Sequence, residues 1–124
     1  METNKGIEAF HAKTRLQWRK WLEKNCEKKT AVCLIIYHKK SNVKSIYQEE
    51  AVEEALCFGW IDSLRNKRDA ESVYQKFSPR KSTSNWSEIN MNRAKRMIKA
   101  GLMTAHGQQA IDIAKEKGKW GVKK

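Results

Sequence analysis

The chain of 124 residues has one proline, three cysteines and no apolar run near the roughly 20 residues that span a bilayer. Its first residues, METNKGIEAFHAK, lack the apolar segment of a secretory signal peptide. Cys26, Cys33 and Cys57 are odd in number and show no C-x-x-C spacing, which is typical of a reducing compartment. The sequence therefore predicts a cytoplasmic protein without a membrane span, and its length predicts a single domain over residues 1–124.

Motifs of the common catalytic classes are missing as well. The sequence contains no GxGxxG, GxxxxGK(S/T), HExxH or GxSxG pattern. His11, His38 and His106 are far apart, and none stands at metal-binding distance from a cysteine or another histidine. Cys57 ends a predicted helix, where the negative end of the helix dipole raises a thiol pKa, so we expect it to be inert. The sequence predicts no catalytic residue, no metal site and no cofactor.

Positive charge is abundant and unevenly distributed. The chain has 26 Lys and Arg residues against 14 Asp and Glu residues, a net charge of +12. Residues 1–62 contain 11 basic and 9 acidic side chains, whereas residues 63–124 contain 15 basic and 5 acidic ones. This excess in the second half is explained either by an anionic partner or by a lysine-rich, solvated surface.

Hydrophobic periodicity and capping patterns predict an α+β fold. Helices are expected over 14–25, 45–58, 86–100 and 104–117, a buried strand over 30–37, and a hairpin of strands 60–65 and 71–78. Thr14 and Ser45 each open a capping pattern, and the unbroken apolar run TAVCLIIY predicts a strand covered on both faces. The expected fold is a small, mainly antiparallel three-stranded sheet packed against about four helices.

Two polar residues interrupt the apolar face of the third predicted helix. That face consists of Trp86, Ile89, Ala94, Met97 and Ile98. Asn90 and Arg93 fall within the same arc, and a charge that points at a core requires a partner. Asp62, on the first hairpin strand, is the expected partner of Arg93. The pair is either a structural network that docks the helix or the wall of a polar, ligand-binding pocket.

Aromatic and basic residues also alternate around the predicted hairpin. The basic residues are Arg65, Lys67, Arg68, Lys76, Arg80 and Lys81, and the aromatic ones are Trp60, Tyr74, Phe77 and Trp86. Cationic grooves with stacking aromatics hold single-stranded nucleic acids. The same aromatics are equally suited to cover a small core, and no RRM, zinc-finger or basic-zipper signature accompanies them.

Three sequence segments together resemble a known bacterial family. LCFGWIDS (56–63), YQKFSPRK (74–81) and SNWSEINMNR (84–93) occur in this order, and FHAKTRLQWRKWLEKN precedes them. This combination resembles the YdeI/OmpD-associated family of bacteriocin-protection proteins. The resemblance implies a role in stress resistance, an association with an outer-membrane porin suggested by the family name, and no established catalytic residue. Family members usually continue into a further helical segment, which we do not expect here because the sequence ends at WGVKK.

These observations predict a non-catalytic binding module for a protein or a small-molecule ligand. The site is expected at the junction of the hairpin and the third helix. Its candidate residues are Trp60, Asp62, Ser63, Tyr74, Arg80, Lys81, Trp86, Asn90 and Arg93. The alternative is a nucleic-acid-binding domain that uses the basic C-terminal half. An unrecognised enzyme is a third and weaker alternative, because a junction with Asp, Arg, Ser and Trp could host a small substrate.

Overall fold

The computed structural model describes residues 1–121, which form a five-stranded mixed sheet and four α-helices. The strands are β1 (Thr3–Asn4), β2 (Ile7–His11), β3 (Val32–Tyr37), β4 (Trp60–Lys67) and β5 (Ser72–Pro79), and the helices are α1 (Arg15–Asn25), α2 (Gln48–Leu56), α3 (Glu88–Lys99) and α4 (Ala105–Glu116). The predicted α+β class is confirmed. The expected three-stranded antiparallel sheet is wrong, because the strand order is β1-β2-β3-β5-β4.

The two additional strands come from the N-terminal segment. Asn4 pairs with Ile7 across a tight turn in which Lys5 and Gly6 both have positive φ, 53° and 81°. This backbone conformation is the one that two-residue hairpin turns require. β2 then pairs in parallel with β3, and α1 provides the crossover connection between them. The parallel pair makes the sheet mixed.

The central strand, β3, agrees with its sequence pattern. It lies between β2 and β5, and five of its six residues are buried. Because successive side chains point to opposite faces, both faces of β3 are buried, as the continuous apolar run TAVCLIIY predicts.

A β-bulge alters the hairpin of β4 and β5. Asp62 pairs with Phe77 and Arg65 with Gln75, so β4 contains one extra residue between these two pairs. The buried Gln75 amide donates to the carbonyl oxygens of Ser63 and Leu64, at 3.1 Å and 3.2 Å. Regular strand alternation predicts Trp60, Asp62 and Leu64 on one face of β4, and this prediction is wrong, since Trp60 is 1% exposed and Leu64 is 60% exposed.

Side-chain caps mark the helix starts, and two helices, α2 and α3, begin later in the chain than predicted. Thr14 caps α1 as predicted, and its Oγ1 accepts from the Gln17 amide at 3.2 Å. α2 begins at Gln48 instead of Ser45, because the Ser45 hydroxyl accepts from the Tyr37 amide at 3.0 Å and belongs to the loop. α3 begins two residues later than expected, at Glu88, and Ser87 caps it.

The core is built around aromatic side chains from α1 and the hairpin. The Trp18 ring contacts Phe77 and Trp21, with centroids 5.1 Å and 5.5 Å apart. Trp21 in turn meets the edge of Trp60 at 5.8 Å. The Trp18 indole N–H donates to the Ala51 carbonyl oxygen at 3.0 Å, which fixes α1 against α2. These contacts hold the Trp60 end of the hairpin in place.

No helix within residues 1–121 is long and apolar enough to cross a membrane. The last three residues of the predicted domain, 122–124, lie outside the described part of the chain.

Candidate functional site

The open end of the β4–β5 hairpin carries the candidate site. β5 ends at Pro79, and the next residue, Arg80, donates its backbone N–H to the Gly59 carbonyl oxygen at 2.8 Å. Gly59 has a positive φ of 74°, and a Cβ there would lie 3.2 Å from the His106 carbonyl oxygen. Glycine is therefore suited both to the backbone conformation and to the close approach of α4.

A recess of about 210 Å³ lies between this end of the hairpin, the loop that follows β5, and α4. We call it the Arg80 recess. Its apolar walls include Phe58, Trp60, Trp86 and Ile113, and its polar lining includes Arg80, Lys81, Ser82, Ser84, His106 and Gln109. No Asp or Glu belongs to the lining of this recess among residues 1–121. The combination of apolar walls with cationic groups suits a small ligand that has an anionic end.

A second, shallower groove of about 350 Å³ adjoins the recess and shares Arg80 and Ser84 with it. We call it the Asp62 groove, because Asp62 is its acidic residue. Asn90 of α3 also lines it. The Arg80 guanidinium thus lies on the boundary between a cationic recess and a groove that contains one carboxylate.

Arg80 is the most unusual charged group of the site. Its Cζ lies 4.1 Å from the centroid of the Trp86 ring, and one terminal nitrogen donates to the Asn85 carbonyl oxygen at 2.9 Å. Its Nε is buried and has no hydrogen-bond partner within residues 1–121. Burial lowers the pKa of Arg80 to about 10, and the charge of Asp62 partly opposes this effect. At neutral pH Arg80 is therefore a cation with less stabilisation than it would have in water.

The other six arginines form ion pairs or are exposed to water. Arg15, Arg19, Arg68, Arg93 and Arg96 each form an ion pair within 4.0 Å. Arg65 is exposed and donates to the Gln48 side chain. Arg80 is the one half-buried arginine of the seven that has no carboxylate within this distance among the described residues.

The chain segment after α4 holds Trp86 in place. The Trp86 backbone N–H donates to the Lys119 carbonyl oxygen at 2.7 Å, and its ring lies 5.1 Å from that of Trp120. Lys117 donates to the Ser82 hydroxyl at 3.1 Å, which ties the loop after β5 to the end of α4. The surface on which Arg80 stacks is consequently fixed before any ligand arrives.

The structure brings together six of the nine predicted site residues. Trp60, Arg80, Lys81 and Trp86 line the Arg80 recess, and Asp62 and Asn90 line the Asp62 groove. The remaining three line neither cavity. Ser63 is exposed on the bulge, the Tyr74 hydroxyl donates to the Glu2 carboxylate, and Arg93 lies on the α2–α3 contact.

The predicted ion pair between Arg93 and Asp62 is wrong. Arg93 instead donates to both carboxylate oxygens of Glu49, at 2.9 Å and 2.5 Å, and to the Asn90 side chain at 2.8 Å. Asp62 accepts a hydrogen bond from the Gln48 amide at 3.3 Å. The reason is that α3 packs on α2, so its polar edge meets the acidic first turn of that helix.

The contributions of α4 to the recess were missed by the sequence reasoning. His106 and Gln109 line the recess because the N-terminal end of α4 packs closely on Cys57. A Cβ on Gly107 would lie 2.4 Å from the Cys57 carbonyl oxygen, so only glycine permits this approach. Gly107 lies inside a predicted helix, and such a glycine is a sequence signal for this kind of close contact.

Cys57 does not line the recess and is fully buried. Burial is the main cause that raises its thiol pKa to about 11, while the Arg19 side chain acts in the opposite direction. The expected inert thiol is therefore explained mainly by desolvation, not by the helix dipole. Within residues 1–121, no three His, Cys, Asp or Glu side chains are grouped so as to hold a metal ion.

The fold and the site define a small α+β domain with a preformed cationic recess. Residues 10–110 match the family model of a domain of unknown function, DUF8412. The match covers most of the chain, so the protein belongs to this family. No curated protein and no solved structure matches the chain. The matched range includes the hairpin, Arg80, Trp86 and His106. The resemblance to the YdeI/OmpD-associated family stays a prediction.

Proposed function

We propose that the protein is a non-catalytic binding module that holds a small anionic ligand in the Arg80 recess. The observation that carries this proposal is the guanidinium of Arg80, which is half-buried with a buried, unpartnered Nε, stacked on Trp86 and free of ion pairs within residues 1–121. A buried cation without a counter-charge is unfavourable, and an anionic ligand would supply that charge.

The shape and lining of the recess narrow the class of ligand. Lys81 and His106 line the recess together with Arg80, and Phe58, Trp60 and Ile113 provide apolar walls. A carboxylate or phosphate group attached to an aromatic or aliphatic body would satisfy both parts. The volume of about 210 Å³ restricts that body to a small one.

A binding role is better supported than covalent catalysis. The most reactive side-chain type in the region, the Cys57 thiol, has its pKa raised to about 11 and does not line the recess. The second cysteine, Cys26, does line it, but burial raises its thiol pKa as well. Neither thiol is therefore prepared to act as a nucleophile at neutral pH.

The family resemblance extends the proposal to bacteriocin protection. The three resembling segments contribute Trp60, Arg80 and Trp86, and these residues meet at one recess. Residues that lie far apart in sequence but line one cavity are suited to a shared binding role. The cytoplasmic location and the association with a porin stay predictions.

The alternative of nucleic-acid binding by the basic C-terminal half has less support. Three of its four proposed stacking residues, Trp60, Phe77 and Trp86, are buried in the core. Tyr74 and Arg68 both bind the Glu2 carboxylate. The aromatic surface that this alternative needs is thus occupied by the protein itself.

Titration with small anions tests the proposal. Phenyl phosphate, benzoate and inorganic phosphate serve as anionic probes, and neutral benzamide is the control ligand. We expect saturable changes in the NMR signals of Trp60 and Trp86 with the aromatic anions and none with benzamide. Arg80→Met should weaken binding about tenfold or more, because a hydrogen bond to a charged group contributes about 1.5–3 kcal/mol.

Arg96→Met is the matched control for this titration. It removes the same charge from an exposed position on α3, and its side chain does not line the recess. Binding should persist in this variant. Equal binding by Arg80→Met and the wild type, or no saturable shift with any anion, would contradict the proposal.

A further inference from the structure

A second cationic surface lies on the N-terminal side of the molecule, around the loop between β3 and α2. Hydrogen bonds to Glu71 and within the loop hold it in place. The His38 backbone N–H donates to the Glu71 carbonyl oxygen at 2.8 Å, and the Ser41 hydroxyl donates to the Glu71 carboxylate at 3.2 Å. The Val43 amide in turn donates to the Ser41 hydroxyl at 3.2 Å.

Two adjoining cavities follow this loop. The larger has a volume of about 610 Å³, and the smaller has about 180 Å³. Tyr37, His38, Lys39 and Tyr47 line both of them. We call the pair the Tyr47 groove. It is separate from the Arg80 recess, with which it shares no lining residue.

Unpaired positive charge dominates the larger cavity of the Tyr47 groove. Lys13, Lys39 and Lys44 line it, and none has a carboxylate within 4.0 Å among the described residues. Glu50 is the acidic residue of the lining, and its carboxylate accepts the Tyr47 backbone N–H at 3.0 Å. The three lysines therefore create a positive potential that the groove itself does not neutralise.

Exposed aromatic and aliphatic surface accompanies these charges. Tyr47 is 48% exposed, and the Lys39 ammonium lies 5.1 Å from the centroid of its ring. Leu16 and Val43, at 58% and 40% exposure, also line the larger cavity. On the other side of Tyr47, Arg65 adds a further cation to the smaller cavity.

We propose that the Tyr47 groove binds single-stranded nucleic acid. An accessible tyrosine ring between two cavities suits the stacking of an unpaired base, and cations on both sides suit the phosphates before and after it. This combination distinguishes a nucleic-acid strand from a simple polyanion, which would need the charges but not the ring. Apart from Arg65 and Val73, the lining residues belong to the half of the sequence with little net charge.

Fluorescence anisotropy with a labelled oligonucleotide of about ten thymidines tests the proposal. The first variant is the triple substitution Lys13→Gln, Lys39→Gln, Lys44→Gln. Its matched control, Lys24→Gln, Lys95→Gln, Lys99→Gln, removes three charges from exposed positions outside the groove. We expect the first to weaken binding about tenfold or more and to reduce the salt slope by about 0.7 for each lost phosphate contact. The control should retain wild-type affinity within about twofold.

The substitution Tyr47→Leu tests the stacking contact separately. It keeps an apolar side chain and every lysine, and we expect about tenfold weaker oligonucleotide binding. Poly-glutamate provides the comparison with an acidic peptide. Equal loss in both triple variants, no effect of Tyr47→Leu, or poly-glutamate binding as tight as that of the oligonucleotide would each overturn the proposal.

Discussion

The guanidinium of Arg80 stacks on Trp86 at 4.1 Å but meets no carboxylate within 4.0 Å in the described part of the chain. Stacking on an aromatic face stabilises a cation by about 0.5–2 kcal/mol, which only partly offsets its removal from water. This relationship connects the fold to the proposed function. Trp86 orders the guanidinium, and because no described carboxylate lies within 4.0 Å, its charge is available to an anion.

The buried carboxylate of Glu54 should make a large contribution to stability. Its side chain is 4% exposed and accepts from Arg15 at 2.8 Å and from Arg19 at 2.9 Å. Glu54→Gln should lower the free energy of unfolding by about 3 kcal/mol, because it leaves Arg19 without its counter-charge and Arg15 with Glu53 alone. Urea denaturation measures this change. The exposed control, Glu23→Gln, should change it by less than about 0.5 kcal/mol, and similar losses in both variants would refute this role.

The ion pair of Arg93 with Glu49 should contribute little. Glu49 is 52% exposed, so water competes with the pair. A double-mutant cycle with Glu49→Gln and Arg93→Met should give a coupling energy below about 1 kcal/mol. The corresponding cycle with Asp62→Asn should give less still, because Asp62 and Arg93 form no hydrogen bond or ion pair. A larger coupling energy of Arg93 with Asp62 than with Glu49 would show that the ion pair predicted from the sequence forms in solution.

Glu2, the second residue of the chain, should confer a pH-dependent stability. Its pKa is lowered from 4.5 to about 2 by hydrogen bonds from Arg68 and Tyr74. A carboxyl group with a depressed pKa stabilises the fold above its unfolded pKa and loses this effect as the pH falls through its folded pKa. The difference in unfolding free energy between the wild type and Glu2→Gln should therefore be present above pH 4.5 and decrease toward pH 2.

A carboxyl-detected NMR titration of Glu2 provides the direct measurement. The expected midpoint is about 2, and Arg68→Met should move it back toward 4.5. A midpoint near 4.5 in the wild type would show that the Glu2–Arg68 contact is not maintained in solution.

The cysteines should react with iodoacetamide in an order set by their exposure. Cys26 is half-buried, whereas Cys57 is fully buried and has a thiol pKa of about 11. At neutral pH, peptide mapping should show Cys26 modified first and Cys57 modified only after unfolding. Phenyl phosphate should slow the reaction of Cys26, which lines the Arg80 recess. Faster modification of Cys57 than of Cys26 would contradict the described packing.

Sequence patterns predicted the parts of the fold that local physics determines. TAVCLIIY is long and unbroken enough to indicate a buried strand, and Thr14 has the side chain and the spacing of a helix cap. β2 was missed because IEAFH is short and half-buried, and only its parallel pairing with β3 across α1 stabilises it as a strand. Such long-range pairing has no local sequence signal.

The candidate site was predictable only in part for the same reason. Trp60, Arg80 and Trp86 could be selected because aromatic and basic residues alternate around the predicted hairpin and because all three lie in the resembling segments. The sequence predicted that Arg93 needs a partner for its charge. That this partner is Glu49 depends on how α3 packs against α2. The bulge after Asp62 also changed which residues share a face, since one extra residue reverses the side-chain alternation.

The NMR signal of the Arg80 Nε–H group tests the central proposal most directly, because it reports on the buried guanidinium itself. On titration with phenyl phosphate, we expect this signal to shift and saturate together with the Trp86 indole signal, while the Nε–H signal of Arg96 stays unchanged. An Arg80 signal that does not move, or that moves no more than that of Arg96, would contradict anion binding in the Arg80 recess.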